Sequence, residues 1–263
     1  MKREILNIVL LGSGNVATHL GLNLHKMGIR IIQVYSRTET NAKVLAQQLN
    51  ASFTADLGSI ENDADLYIIA LKDNCIAEVV SDKRLKNKPM VHTAGSVGTD
   101  VFKDSTQQYG VLYPFQTFTK SREVSFKAIP VLIEASNPDF EYALMKLAGR
   151  LSDRVIQANS AQRAILHISA VFACNFTNHM YAVAEDLLQS SGLSFDLLKP
   201  LISETAEKVM MMRPVEAQTG PAVRFDSVIL DQQMKKLKDE PVYQKIYGLL
   251  SESIQKQQKR KNG

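Results

Sequence analysis

A short apolar run at residues 8–11 breaks at Gly12-Ser13-Gly14, and apolar residues then return at helical spacing, Val16, Ala17 and Leu20. The pattern predicts strand, tight turn and helix, and it repeats. Residues 29–36 read as a second strand, Glu39–Leu49 as a helix, Ser52–Thr54 as a short strand, and 65–71 as the clearest buried strand of the chain. A helix opening over 76–80, a strand at 89–93, apolar segments at 110–113 and 129–134, a helix over Pro138–Leu151 and a last strand at 155–156 continue the series. Strands alternating with helices predict an α/β domain, with a doubly wound, mostly parallel sheet covered on both faces.

From residue 159 onward no strand pattern recurs. Residues 161–191 form one long helical pattern, with Asn159 and Ser160 as candidate caps and Gly192 closing it. Such a helix would run about 45 Å. Its middle, 165–181, is apolar on nearly all sides, which predicts burial against several neighbours, a second subunit among them. Further helices are expected over 195–212, over 222–237 and from 241 into the tail. The chain therefore divides into an α/β domain, 1–158, and an all-helical domain, 159–263.

The glycine turn suits the pyrophosphate of a dinucleotide. Gly12 takes the turn's backbone angles, Gly14 lets the backbone approach the phosphates, and small Ala17 lets helix pack on strand. Free N–H groups of Ser13, Asn15 and Val16 at the helix start then face the anion. The second strand supplies context, because it ends in Ser36-Arg37-Thr38 with no acid at its tip. An acid there would bond a ribose 2′-hydroxyl, whereas an Arg accommodates a 2′-phosphate, so the expected cofactor is NADP. The carboxyl ends of the fourth and fifth strands, Leu71-Lys72-Asp73 and Thr93-Ala94-Gly95, should pass the cofactor's middle and its nicotinamide side. Ser96 follows as a candidate substrate contact. The loop 114–120 reads either as a pocket wall or as a hydrophobic anchor.

The long helix carries a polar stripe. With 100° per residue and His167 at zero, Ser160 falls at about 20°, Asn175 at about 80°, Asn178 at about 20° and Glu185 at about zero. His167 suits proton transfer near neutrality, and Asn175 can orient a carbonyl or imine without changing charge. Asn178 is a further candidate substrate contact. His179 points away and reads as structural, and His19 and His25 read as packing or surface residues. A second segment, Gln218 to Asp226, places Gly220-Pro221 at a helix start. Thr219, Arg224 and Asp226 there are substrate contacts, or the last two form an ion pair.

Bulk properties narrow the classes. Of 263 residues 45% are hydrophobic and 22% charged, ordinary for a globular protein, and the net charge of +4 comes with no cluster of cations interleaved with aromatics. Nucleic acid is not an expected partner. The basic tail 255–263 reads as a solvated terminus. The two cysteines, Cys75 and Cys174, give neither a disulfide framework nor metal-ligand spacing, so no metal is expected. No signal-peptide core and no apolar run of about 18 residues is present, which predicts a cytoplasmic protein with no membrane partner.

The order of these motifs, Gly12-Ser-Gly14-Asn-Val-Ala17, Tyr35-Ser-Arg37, His92-Thr-Ala-Gly-Ser96, Tyr113-Pro-Phe-Gln-Thr-Phe118, His167 with Asn175, and Thr219-Gly-Pro-Ala-Val-Arg224-Phe-Asp226, resembles a bacterial family of NADP oxidoreductases. That family joins a Rossmann-like amino-terminal domain to a helical carboxyl-terminal domain of unknown function. The resemblance covers nearly the whole chain, and the Thr-Gly-Pro-x-x-Arg-x-Asp segment is its most specific part. More distantly the chain is similar to pyrroline-5-carboxylate reductases, 6-phosphogluconate and 3-hydroxyisobutyrate dehydrogenases, ketopantoate reductases and NADP-dependent deazaflavin oxidoreductases. In the hydroxyacid members a Lys acts four residues before an Asn on the long helix. Here that position is Val171, so the Lys role does not carry over and His167, one turn earlier, is its candidate replacement. Reduction of an imine or another carbonyl is then at least as well suited as β-hydroxyacid chemistry.

The expected function is hydride transfer between NADP(H) and a small polar carbonyl, imine or hydroxy substrate in a cleft between the domains, in a homodimer joined through the helical domain. The alternative is a non-catalytic NADP-binding sensor or a dimeric scaffold.

Overall fold

The computed structural model describes residues 4–262. Eight strands form one sheet in the order β3-β2-β1-β4-β5-β6-β7-β8. They are β1 (Asn7–Leu11), β2 (Arg30–Tyr35), β3 (Ser52–Thr54), β4 (Leu66–Ile69), β5 (Met90–His92), β6 (Tyr109–Pro114), β7 (Val131–Ala135) and β8 (Val155–Gln157). All neighbours pair in parallel except β6 and β7, which are antiparallel. The strand order reverses between β1 and β4, the place where ligands bind in doubly wound sheets.

Alternation along β1 shows why both faces are covered. Ile8 and Leu10 join one apolar cluster and Val9 and Leu11 the other, all four wholly buried. On the first face lie α1 (Asn15–Lys26), α2 (Glu39–Leu49) and α4 (Pro138–Leu151), through Leu20, Leu24, Leu45, Leu49, Leu144 and Leu147. On the second lies α3 (Asp73–Val80), through Ile76 and Val80, with Phe102 beside it. Local chemistry sets the boundaries. Asn137 caps α4 by accepting from the Phe140 N–H at 3.0 Å, with Pro138 in the first turn. Asn50, at φ 51°, ends α2 in the left-handed region that Asn tolerates.

The chain separates into two compact units, Met1–Cys174 and Asn175–Gly263. The first holds the whole sheet and α5 (Ser160–Ala170), which opens with a reciprocal capping box between Asn159 and Gln162. The sequence predicts one unbroken helix over 161–191. Instead the ladder changes to π-helical hydrogen bonding over Val171–Phe176 before α6 (Thr177–Gln189). A π turn closes with i→i+5 bonds, so the rotation of 100° per residue does not hold through it. The polar stripe projected from His167 therefore stops at Ala170.

The second unit continues with α7 (Lys199–Met211), α8 (Pro214–Ala217), α9 (Ser227–Lys236) and α10 (Pro241–Asn262). The helix expected over 195–212 begins as a 3-10 turn, Phe195–Leu198, with Pro200 in the first turn of α7. The helix expected from 222 starts only at Ser227, because Phe225 sits at φ 55° and breaks the helical trace. The basic tail, expected as a solvated terminus, is the regular end of α10. Burial is low here. Among residues 175–261 only Ala222 is buried, and Leu201, Met210, Met211 and Leu249 are largely exposed. In the apolar middle of the long helix, Ile165 is 67% and Phe172 65% exposed.

Candidate functional site

After β1 the chain turns through Gly12 at φ 136°. A Cβ there would lie 2.2 Å from the Ala70 carbonyl oxygen at the end of β4, so both the angle and the close approach demand glycine. Gly14 plays the opposite part. It precedes α1 with no side chain capping the helix and no acid in the first turn, and a Cβ on it would meet nothing within 4 Å. An open space thus faces unbonded N–H groups at a helix start, the arrangement that holds phosphate. The Ser13 hydroxyl donates to Ser36 Oγ at 2.9 Å and ties this turn to the tip of β2. Beyond it Arg37 and Thr38 are exposed, Thr38 standing before α2 with its hydroxyl unused as a cap.

The Asn15 side chain turns elsewhere, donating to the Phe118 carbonyl at 2.8 Å, which leaves its backbone N–H in the helix start. Val16 packs against the core. An open glycine turn for a pyrophosphate, with one guanidinium and two hydroxyls past β2 for a phosphomonoester, suits a dinucleotide carrying a 2′-phosphate. Loop 114–120 acts as an anchor. Phe118 is buried between His19, 5.0 Å away, and Phe126, and His19 bonds the Thr119 carbonyl at 3.0 Å, a packing histidine as expected.

At the ends of β4 and β5 the structure gathers several predicted residues. Leu71 is half-buried, Lys72 is exposed and precedes α3, and Asp73 lies in its first turn and accepts a hydrogen bond from the Ser96 hydroxyl. A carboxylate is favoured at a helix start. Thr93 is buried and its N–H donates to the Ile69 carbonyl at 3.1 Å. The Ala94 N–H donates to His92 Nδ1 at 3.2 Å. Burial, with the cation of Arg163 adding to it, pushes the His92 pKa down to about 4.

Gly95 is the tightest point. A Cβ on it would stand 2.8 Å from His167 Nδ1 and 2.9 Å from Tyr113 Cζ, so these two rings close directly over the backbone of the β5 turn. Tyr113 on β6 and His167 on α5 are joined by a 3.1 Å hydrogen bond between the phenolic oxygen and Nδ1. Burial, and next the nearby Asp73 carboxylate, raise the Tyr113 pKa, so the phenol keeps its proton at neutral pH. One turn before His167, Arg163 is wholly buried, paired with Glu134 of β7 at 2.5 Å and donating to the Val97 carbonyl at 2.6 Å.

The remaining candidates belong to the second unit. Asn175 and Asn178 are exposed, as are Thr219 and Arg224. Asp226 is engaged as the cap of α9, accepting from the Ile229 N–H at 3.2 Å. Its carboxylate serves the helix start, in place of the ion pair with Arg224 that the sequence allows. Gly220, just before Pro221, takes φ 108°, an angle that glycine accommodates. Among the described residues no three His, Cys, Asp or Glu side chains gather to hold a metal ion, and none of the helices is long and apolar enough to cross a membrane.

Sequence reading passed over Tyr113, His92 and the Arg163–Glu134 pair as site residues. A charged Arg163 one turn before His167 on an apolar helix is a signal for the pair. Tyr113 becomes visible only once β6 is known to lie beside β5.

Family models match two parts of the chain: "NADP oxidoreductase coenzyme F420-dependent" over residues 7–95 and "Domain of unknown function (DUF2520)" over 129–254. A crystal structure from Bacteroides fragilis, described as a "putative NADP oxidoreductase", is 47% identical, covers 97% of this chain and 100% of its own, and superposes with a TM-score of 0.90. A reductive aminase of Aspergillus terreus in complex with NADPH and ethyl-5-oxohexanoate is 15% identical, covers 97% of this chain and 95% of its own, and has a TM-score of 0.71, a likeness of fold. Glutamyl-tRNA reductase of Stutzerimonas stutzeri is 28% identical over 161 residues, 53% of this chain, and the chain spans only 37% of the length of that curated relative. A Rossmann-type sheet with an open glycine turn, followed by the DUF2520 domain and matched over nearly its full length at 47% identity, belongs to the NADP oxidoreductase family.

Proposed function

We propose that this oxidoreductase uses NADPH to reduce a small polar substrate with a carbon–nitrogen or carbon–oxygen double bond. The observation that carries the reading is the closure of His167 and Tyr113 over Gly95, which supports proton delivery at the carboxyl end of β5. When bound, the dinucleotide supplies the hydride. The chain's own residues do the rest. The N–H groups from Ser13 to Val16 hold the pyrophosphate, and Ser36, Arg37 and Thr38 hold the 2′-phosphate. Residues 71–73 and 93–95 line the middle of the cofactor, and Ser96, held by Asp73, stands beside the substrate. His167 exchanges the proton. Asn175, as an orienting amide, and Asn178, Thr219, Arg224 and Asp226, as substrate contacts, complete the proposed set. The domain boundary at 158/159 belongs to the same reading.

The helical unit pairs with a second copy of the chain in this reading, supported by Leu201, Met210, Met211 and Leu249, at 62%, 86%, 85% and 68% exposure. Sedimentation of the purified chain as a monomer at micromolar concentration would remove that part. The function itself is tested by following NADPH absorbance with a cyclic imine, a 2-keto acid and an aldehyde. Oxidation dependent on one of them, and lost in His167→Ala, is the expected result. Binding of NADPH with turnover of none would leave a sensor.

A further inference from the structure

We propose that Tyr113 is a positioning residue that fixes the tautomer of His167, accepting a hydrogen bond from Nδ1–H so that Nε2 is the nitrogen that exchanges the proton. The proposal rests on the reading of the site as a reductase.

Its basis is geometric. His167 Nδ1 lies 3.1 Å from the phenolic oxygen, within hydrogen-bond range, and the same nitrogen faces Gly95 so closely that a Cβ there would stand 2.8 Å away. Nδ1 is thus closed in by a tyrosine and a backbone turn, and no substrate atom fits between. Exchange must occur at the other nitrogen. Among the described residues, the charged and titratable groups around the pair are Asp73 from α3, Arg163 one turn away on α5, Glu134 paired with Arg163 from β7, and His92 on β5.

The phenolic oxygen can keep this position in both protonation states of the ring. As a neutral oxygen it accepts from Nδ1–H whether the imidazole is charged or neutral, and no tautomer change accompanies the proton's departure. The balance is complete. Reduction of the double bond takes one hydride, which NADPH gives as it is oxidised, and one proton. The Nε2–H bond breaks as the proton joins the substrate nitrogen or oxygen, and the imidazolium becomes neutral imidazole with Nδ1–H still on Tyr113. Water returns the proton to Nε2 before the next turnover. Tyr113 itself never ionises.

The test uses the full chain and two independent readouts. In nitrogen-15 NMR of the neutral state, His167 should show the Nδ1–H tautomer, and Tyr113→Phe should shift it toward the mixture of free histidine. In kinetics with whichever member of the imine, keto acid and aldehyde panel is turned over, Tyr113→Phe should lower kcat roughly tenfold or more while leaving the KM for NADPH within about twofold. An Nε2–H tautomer in the unmodified protein, or an unchanged signature in Tyr113→Phe, overturns the proposal whether or not a substrate is found. Turnover and NADPH binding that persist with an unaltered kcat in Tyr113→Phe overturn it while leaving the reductase reading intact. Absence of NADPH binding strikes that reading alone, and the tautomer measurement still decides the role of Tyr113.

Discussion

The guanidinium of Arg163, with no exposed surface, lies 2.5 Å from the Glu134 carboxylate and fastens the first turns of α5 to β7. The same carboxylate accepts from the Ser160 hydroxyl at 2.9 Å, so the helix start and its second turn share one anchor. His167 stands one turn further on. Removing one partner of a buried pair leaves a charge without compensation, which costs about 3–5 kcal/mol. Arg163→Ala should therefore lower the urea midpoint, and Glu134→Gln, which leaves the wholly buried guanidinium without its counter-charge, should lower it at least as far. An unchanged midpoint in Arg163→Ala would show that the anchor is dispensable.

Stability should depend on pH through His92. Its pKa is depressed to about 4 in the folded chain against an ordinary value of 6.5, because burial disfavours the charged ring. The contribution is complete above pH 6.5, where the ring is neutral in both states. It is lost as pH falls from 6.5 toward 4, because the unfolded chain takes the proton first. A difference of that size is worth about 3 kcal/mol. Urea unfolding at pH 7 and pH 4 should show the loss, and His92→Gln should flatten that part of the profile.

Cofactor choice should reside in Arg37. A charge-assisted bond to a 2′-phosphate is worth about 1.5–3 kcal/mol, so NADPH should bind roughly tenfold to a hundredfold better than NADH. Arg37→Ala should remove most of that difference and leave NADH affinity nearly unchanged. Titration calorimetry with both dinucleotides reads it directly, and equal affinities in the unmodified chain would refute the assignment.

The two glycines of the turn should fail differently. Gly12→Ala brings a methyl 2.2 Å from the Ala70 carbonyl oxygen at a backbone angle of 136°, so the fold itself must yield and the melting temperature should drop. Gly14→Ala meets no protein atom within 4 Å and should melt like the parent, yet lose NADPH affinity because the methyl occupies the space in front of the helix start. Thermal melts paired with NADPH titration separate the two.

Much of the amino-terminal fold was legible because its signals are local. Glu39–Leu49, Ser52–Thr54 and Pro138–Leu151 are found at the residues the pattern predicts, where Asn50 and Asn137 punctuate the chain. The π-helical stretch Val171–Phe176 left no such mark, since its residues are as compatible with i→i+4 bonding as with i→i+5. The late start of α9 depends on one backbone angle at Phe225, a residue not expected at positive φ. For the candidate site, the glycine turn and Arg37 could be read because they lie on consecutive elements. The contacts of His167 with Tyr113 and of Arg163 with Glu134 span 54 and 29 residues and exist only once the sheet order is set.

A helical unit in which Ala222 alone is buried between residues 175 and 261 has little apolar stabilisation of its own. On the proposed pairing with a second copy, the partner that covers those helices also holds them folded, so that assembly and stability become one equilibrium governed by mass action. Diluting the protein should then act as a denaturant, and its melting temperature should climb with the logarithm of its concentration.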